Sequence, residues 1–181
     1  GELRRQIRMM KEMGLGGFFM HSRVGLNTKY LSDEWFDCVR ACIDEAGKLG
    51  MRAWLYDEDR WPSGAAGGLV TCDPAYRARK VELTILNPEQ AKTYVSGDGQ
   101  VLGIYAGKVD GNRVGGLRRL DSVTTPLSAG ESVLHFAVVL DDCSPWFNGY
   151  TYLDTLNPEA VGKFIEVTHE AYRREIGESF G

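Results

Sequence analysis

Long hydrophobic runs are missing from this sequence. The longest, Val133-Leu134 with Phe136 to Leu140, fall far short of the roughly 20 residues a membrane-spanning helix needs, so no membrane span is expected. Positive charge is also in short supply. Lys and Arg number 21 against 25 Asp and Glu, a net charge of −4, which is the wrong sign for a dedicated nucleic-acid binder and compatible with a small neutral ligand. Cysteine is scarce: four in 181 residues cannot make a disulfide scaffold. Cys38 and Cys42, four apart on an expected helix, read as inward-facing free thiols, whereas Cys72 and Cys143 could pair only across a long excursion and their redox state stays open. Familiar signatures are missing too: there is no GxxxxGK[ST] phosphate loop, no HExxH, no GxSxG elbow and no CxxC pair. Gly14, Gly16 and Gly17 precede a strand rather than a helix, so they do not form a dinucleotide fingerprint. The chain starts at Gly1, and Glu2 to Lys11 is charged and lacks the apolar core of a signal peptide, which reads as a processed or recombinant start.

What is present is ordinary globular composition, 43% hydrophobic and 25% charged, enough for a sizeable core. Leu3, Ile7 and Met10 recur at helical spacing among basic residues, predicting an amphipathic helix over Glu2 to Met13 that ends at Gly14. Gly17 to His21 is short and apolar, as expected of a parallel strand buried on both faces. Ser32 or Asp33 can cap a second helix along Trp35, Val39, Cys42, Ile43, Ala46 and Leu49, which Gly50 closes. Met51 to Tyr56 follows as a second buried strand. From about Thr71 to Gly149 the pattern changes: Lys80 to Leu86, Lys92 to Ser96, Gln100 to Lys108 and Ser132 to Leu140 read as antiparallel strands, with hairpin turns at Gly97-Asp98-Gly99 and Asp110-Gly111-Asn112. A last helix is expected from an Asn157 cap and Pro158 to about Glu175. This divides the chain into an α/β segment over 1–70, a β-rich insertion over 71–149 and a helical return over 150–181. Alternating helices and buried strands imply a parallel sheet, either doubly wound or a (β/α)8 barrel, although only two such strands are visible.

Ligands of parallel α/β folds sit at the carboxyl ends of strands, here His21-Ser22-Arg23 and the run from Tyr56 through Asp57, Glu58, Asp59, Arg60 and Trp61 to Gly64. Carboxylates, a base, a histidine and an aromatic face are what a carbohydrate site needs: acids and bases work on the glycosidic bond, and an indole stacks on the C–H face of the sugar. Glu58 and Asp57 are the candidate catalytic acids, and as neighbours at a strand end they point to opposite sides. His21, Arg23, Tyr56, Trp61 and Asp154 are candidate substrate-binding residues, while His135 and His169 read as structural or surface residues.

The stretch GGFFMHSRVGLNTKYLSDEWFDCVRACIDEAGKLGMRAWLYDEDRWPSGAAGG, from Gly16 to Gly68, resembles the catalytic segment of glycoside hydrolase family 106, the α-L-rhamnosidases, and YLDTLNPEAVGKFIEVTHEAYRREIGESFG resembles the part that follows an inserted region in that group. The resemblance covers about 80 residues, and YDEDRWPSGAAGG is its most specific part. It implies a partial (β/α)8 barrel with an inserted antiparallel β-rich subdomain, the remainder of a larger parent enzyme beyond Gly181, and a periplasmic or extracellular bacterial location. It further implies removal of rhamnose or a related terminal sugar from plant-type polysaccharides or glycosides, two acidic residues acting with inversion, and calcium that can assist substrate binding. A non-catalytic carbohydrate-binding or structural module is the competing expectation. A lyase or isomerase is a third.

Overall fold

The computed structural model describes residues 1–180, which divide into two compact units: residues 1–78 with 142–180, and residues 79–141. In the first unit α1 (Glu2–Glu12) presents Ile7 to the interior and polar residues to solvent. β1 (Gly17–Met20) and β2 (Arg52–Leu55) pair in parallel, Gly17 opposite Arg52 through Met20 opposite Leu55. Between them runs α2 (Asp33–Lys48), capped by Ser32, whose hydroxyl accepts from the Trp35 N–H. A glycine is required at position 17: a Cβ there would lie 2.5 Å from the Arg52 carbonyl oxygen and against the Trp54 ring.

The main core joins Ile7, Met20, Tyr30, Trp35, Phe36, Val39, Cys42, Ala46 and Met51 to Ala171, Tyr172 and Ile176. α1 is held on α2 by charge as well as by packing. Arg8 Nε donates to Glu45 at 2.6 Å and Arg4 reaches both Asp44 and Glu45, so the hydrogen bond from Arg8 foremost holds the Glu45 carboxyl below the usual range. A smaller core gathers Ala66, Val70, Leu153, Ala160 and Phe164. The expected single last helix is two: α4 (Pro158–Val167), capped by Asn157, and α5 (His169–Ile176), broken at Thr168. The Thr168 hydroxyl bonds back to the Phe164 carbonyl at 2.7 Å, the kind of local bond that bends helices.

The second unit is a four-stranded antiparallel sheet, β3 (Arg79–Leu86), β4 (Gln100–Asp110), β5 (Arg113–Leu120) and β6 (Ser132–Leu140), in the order β3-β6-β4-β5. α3 (Pro88–Thr93) and the following chain cover one face, burying Leu86, Ala91, Ala106, Leu120 and Val133. α3 occupies part of the expected strand at Lys92 to Ser96. Asn87 accepts from the Glu89 and Gln90 amides, the Gln90 side chain answers to the Asn87 N–H, and Pro88 fills the first position; this capping box outweighs the β-branched residues after it. β5 carries two glycines and three arginines, composition that hides a strand from propensity arguments.

The expected partial (β/α)8 barrel is not what the chain forms. Among the described residues the parallel strands are two, four residues each, in a sheet of their own, and the remaining four strands pair antiparallel in a separate sheet. A barrel requires the strands to tilt and stagger until the last bonds the first, which two short strands cannot do.

One acid-sensitive feature belongs to the second unit. Arg118 grips Glu131 through both guanidinium Nε and Nη2, at 3.2 and 2.7 Å, and the Ser128 N–H adds a bond at 2.8 Å. The Arg118 bond first, then that of Ser128, lowers the Glu131 carboxyl from 4.5 to about 2. A carboxyl depressed in the folded state contributes stability above its unfolded value and loses it as pH falls through the folded one. The protection of the amides from β4 to β6, taken relative to their intrinsic exchange rate at each pH, is therefore expected to fall between pH 4.5 and 2 in the native protein, and this acid-dependent part is expected to be absent in Glu131→Gln. Identical profiles for the two proteins would refute the assignment.

Candidate functional site

The carboxyl ends of β1 and β2 bring the expected residues into one neighbourhood, but they differ sharply in what they are free to do. Glu58 follows β2 by three residues and is 1% exposed. Its Oε2 accepts the N–H groups of Gly64, Ala65 and Ala66 at 3.1, 2.7 and 2.6 Å, while Oε1 accepts those of Asp59, at 2.8 Å, and Gly67. Five backbone donors converge on one carboxylate, which is the concavity an anion site presents, filled from within. Glu58 thus acts as the anchor of the 59–67 loop, with no lone pair directed at a substrate.

Asp59 is tied as well: it accepts the hydroxyl of buried Ser22 at 2.8 Å, and its other oxygen lies 3.5 Å from Arg60 Nε. That bond ties the end of β1 to the loop after β2. Asp57 is different. Its side chain is 34% exposed, and Oδ2 lies 3.6 Å from Nε2 of His169, the first residue of α5. His169 Nδ1 lies 3.0 Å from the Thr168 hydroxyl.

His21 packs against Tyr56 with ring centroids 4.0 Å apart and planes tilted by 45°. Its Nε2 is buried and without a hydrogen-bond partner among the described residues. Burial, chiefly, raises the Tyr56 phenol above its ordinary range, opposed by a hydrogen bond with the Ser63 backbone. The Tyr30 phenol, more deeply buried, is raised further. Arg23 is exposed, and among the described residues it forms no ion pair with the carboxylates after β2; Arg60 is the residue beside Asp59. Asp154 is a turn former: its Oδ1 accepts the Leu156 N–H at 3.1 Å, and its own N–H bonds the Tyr76 carbonyl.

Trp61, beside the cis Trp61-Pro62 peptide, is 60% exposed and faces Trp146, itself 62% exposed, with centroids 6.5 Å apart and planes at 83°. Arg60 Nη1 reaches the Pro145 carbonyl at 3.5 Å, linking the two loops that carry these indoles. Two residues of this neighbourhood escaped the sequence reading. Trp146 had a usable signal, a tryptophan directly after Ser144-Pro145, a turn former that leaves a large ring in solvent. His169 had none, since no sequence pattern connects it with a carboxylate at Asp57.

Among the described residues no group of three or more His, Cys, Asp or Glu side chains is placed to hold a metal ion, so these residues do not fit the calcium that the resemblance implies. All four cysteines are free; burial raises the Cys42 and Cys38 thiols. Among the described residues no helix is long and apolar enough to cross a membrane. No family model matches this chain, and no curated protein or solved structure matches it either.

Proposed function

We propose that this protein is a glycoside hydrolase of the α-L-rhamnosidase type, cleaving a terminal sugar from plant-type polysaccharides or glycosides, with Asp57 as its acid–base carboxylate. The observation that carries this reading is the contrast between adjacent acids. Glu58 and Asp59 are engaged by the protein itself, whereas Asp57 is half-open, beside an imidazole and at the carboxyl end of a parallel strand, where α/β folds bind ligands. Trp61 and Trp146 add exposed indole faces of the kind that stack on sugar C–H surfaces. Arg60 argues against a quaternary ammonium ligand in that corner, because a guanidinium beside the indoles repels a cation.

Asp57→Asn is expected to lower the hydrolysis of an aryl α-L-rhamnoside about a hundredfold or more, the loss that follows removal of a general acid or base. Trp61→Ala is expected to raise KM with little change in kcat, since stacking holds ground state and transition state alike. Unchanged turnover in Asp57→Asn would overturn the assignment.

A second reading, a non-catalytic carbohydrate-binding surface, is favoured by one fact: of the three successive carboxylates only Asp57 is available, and hydrolysis by the usual route uses two. Titration with rhamnose-containing oligosaccharides separates the two. Binding lost in Trp61→Ala, with no product formed by the native protein, would establish the binding surface.

A further inference from the structure

We infer that Thr168 fixes the His169 imidazole as its Nδ1–H tautomer, so that Nε2 is the atom facing Asp57 that takes up and returns the proton of the site. This deepens the reading of Asp57 as an acid–base group and rests on it. Thr168 lies at the break between α4 and α5 and is fully buried. A hydroxyl has one hydrogen to give. The Phe164 carbonyl, 2.7 Å away, can only accept, so the Thr168 hydrogen goes there. The contact between Thr168 Oγ1 and His169 Nδ1, at 3.0 Å, then requires the ring nitrogen to be the donor. In the neutral ring the proton therefore sits on Nδ1 and Nε2 carries a lone pair, because the hydrogen bond made by one ring nitrogen sets the state of the other.

That lone pair lies 3.6 Å from Asp57 Oδ2. Two acceptors face each other until one further proton arrives, and with it the contact becomes an imidazolium–carboxylate pair. The transfer balances without any other reagent. The Nε2–H bond breaks, an O–H bond forms on Asp57 Oδ2, and the ring returns to its neutral Nδ1–H form; Asp57 then gives that proton to the leaving oxygen as the glycosidic C–O bond breaks. Apart from solvent, which the half-exposed ring also meets, the other titratable groups around the pair are occupied. Phe164 meets the ring with centroids 5.8 Å apart, Glu170 is held by Arg173 at 2.6 Å, Glu58 is bound to backbone amides, and Tyr172 and Tyr30 feel the charge of Asp57 only as phenols kept protonated by burial. Thr168 is thus a positioning residue acting through His169.

The test is a long-range proton–nitrogen spectrum of the intact protein labelled with ¹⁵N-histidine, the His169 signals being identified by their loss in His169→Asn. The neutral form is expected to show a protonated Nδ1. Thr168→Val, which keeps the backbone N–H bond to Phe164, is expected to release the ring to the Nε2–H form, and Thr168→Ser to restore the native pattern. A protonated Nε2 in the neutral native protein would overturn the proposal, and so would an unchanged pattern in Thr168→Val. Should that variant not fold, the native spectrum and that of Thr168→Ser decide the matter. Hydrolysis of an aryl α-L-rhamnoside is read separately: the native tautomer without hydrolysis would sink the glycosidase reading and leave the tautomer standing, while hydrolysis with the wrong tautomer would do the reverse.

Discussion

Glu58→Ala is expected to lower the unfolding free energy of the first unit by about 4 kcal/mol. The carboxylate receives five backbone N–H groups in a site closed to solvent, and each buried donor left unsatisfied costs roughly 1–3 kcal/mol, less whatever water entering the vacated volume restores. Removing one partner of a buried charged network costs about 3–5 kcal/mol by the same reasoning. Against a total stability on the order of 5–15 kcal/mol, such a loss brings the protein near its unfolding threshold. Glu58→Gln separates charge from shape. Its amide oxygen can serve Gly64, Ala65 and Ala66, but its NH₂ group must then face the Asp59 and Gly67 amides, donor against donor, for a cost of about 2 kcal/mol. Urea unfolding followed by tryptophan fluorescence reads both, since all four tryptophans lie in the first unit. A change under about 1 kcal/mol in Glu58→Ala would show that the loop stands without its anchor. Loss of activity in Glu58→Gln is expected to track loss of folded protein, unlike that in Asp57→Asn.

The second large effect is expected at Gly64. Its backbone holds a φ of +130°, a region closed to side-chain-bearing residues, and a Cβ would collide with the Tyr152 ring edge and hydroxyl. Gly64 is also bonded on both sides, its N–H to Glu58 and its carbonyl to the Leu153 N–H, so it cannot swing away without breaking both bonds. Gly64→Ala combines backbone strain of roughly 1–3 kcal/mol with overpacking of similar size, and a loss of about 4 kcal/mol is expected. Adding Tyr152→Ala to Gly64→Ala removes the steric part alone. The double variant should therefore show a coupling of about 1–2 kcal/mol in a thermodynamic cycle, and additive losses would refute the clash.

Local chemistry explains which elements could be read from the sequence. Ser32 before the periodic run to Lys48, Asn157 before Pro158, and the apolar stretches at Gly17–Met20 and Arg52–Leu55 are signals that act within a few residues. The strand β5 was hidden because its glycines and arginines take an extended form only when β4 supplies the ladder. The barrel expectation failed on a different point: the two strands are not buried on both faces, since Phe19 and Trp54 are 69% and 42% exposed, and closure is a property of strand number and pairing that no local pattern encodes. At the site, strand-end position located His21, Asp57, Glu58 and Trp61, but could not rank them.

By itself the sequence determined the negative charge, the absence of a long apolar span, the caps and turns, and the clustering of acids and tryptophan after the second strand. These are properties of composition and of neighbours along the chain. The tertiary structure alone decided what each acid does. Asp57 and Glu58 are adjacent and chemically alike, yet one meets an imidazole and solvent while five amides close over the other. The difference arises because the side chains of adjacent residues after a strand diverge, and the partners they meet come from the loop at 59–67 in one case and from α5 in the other.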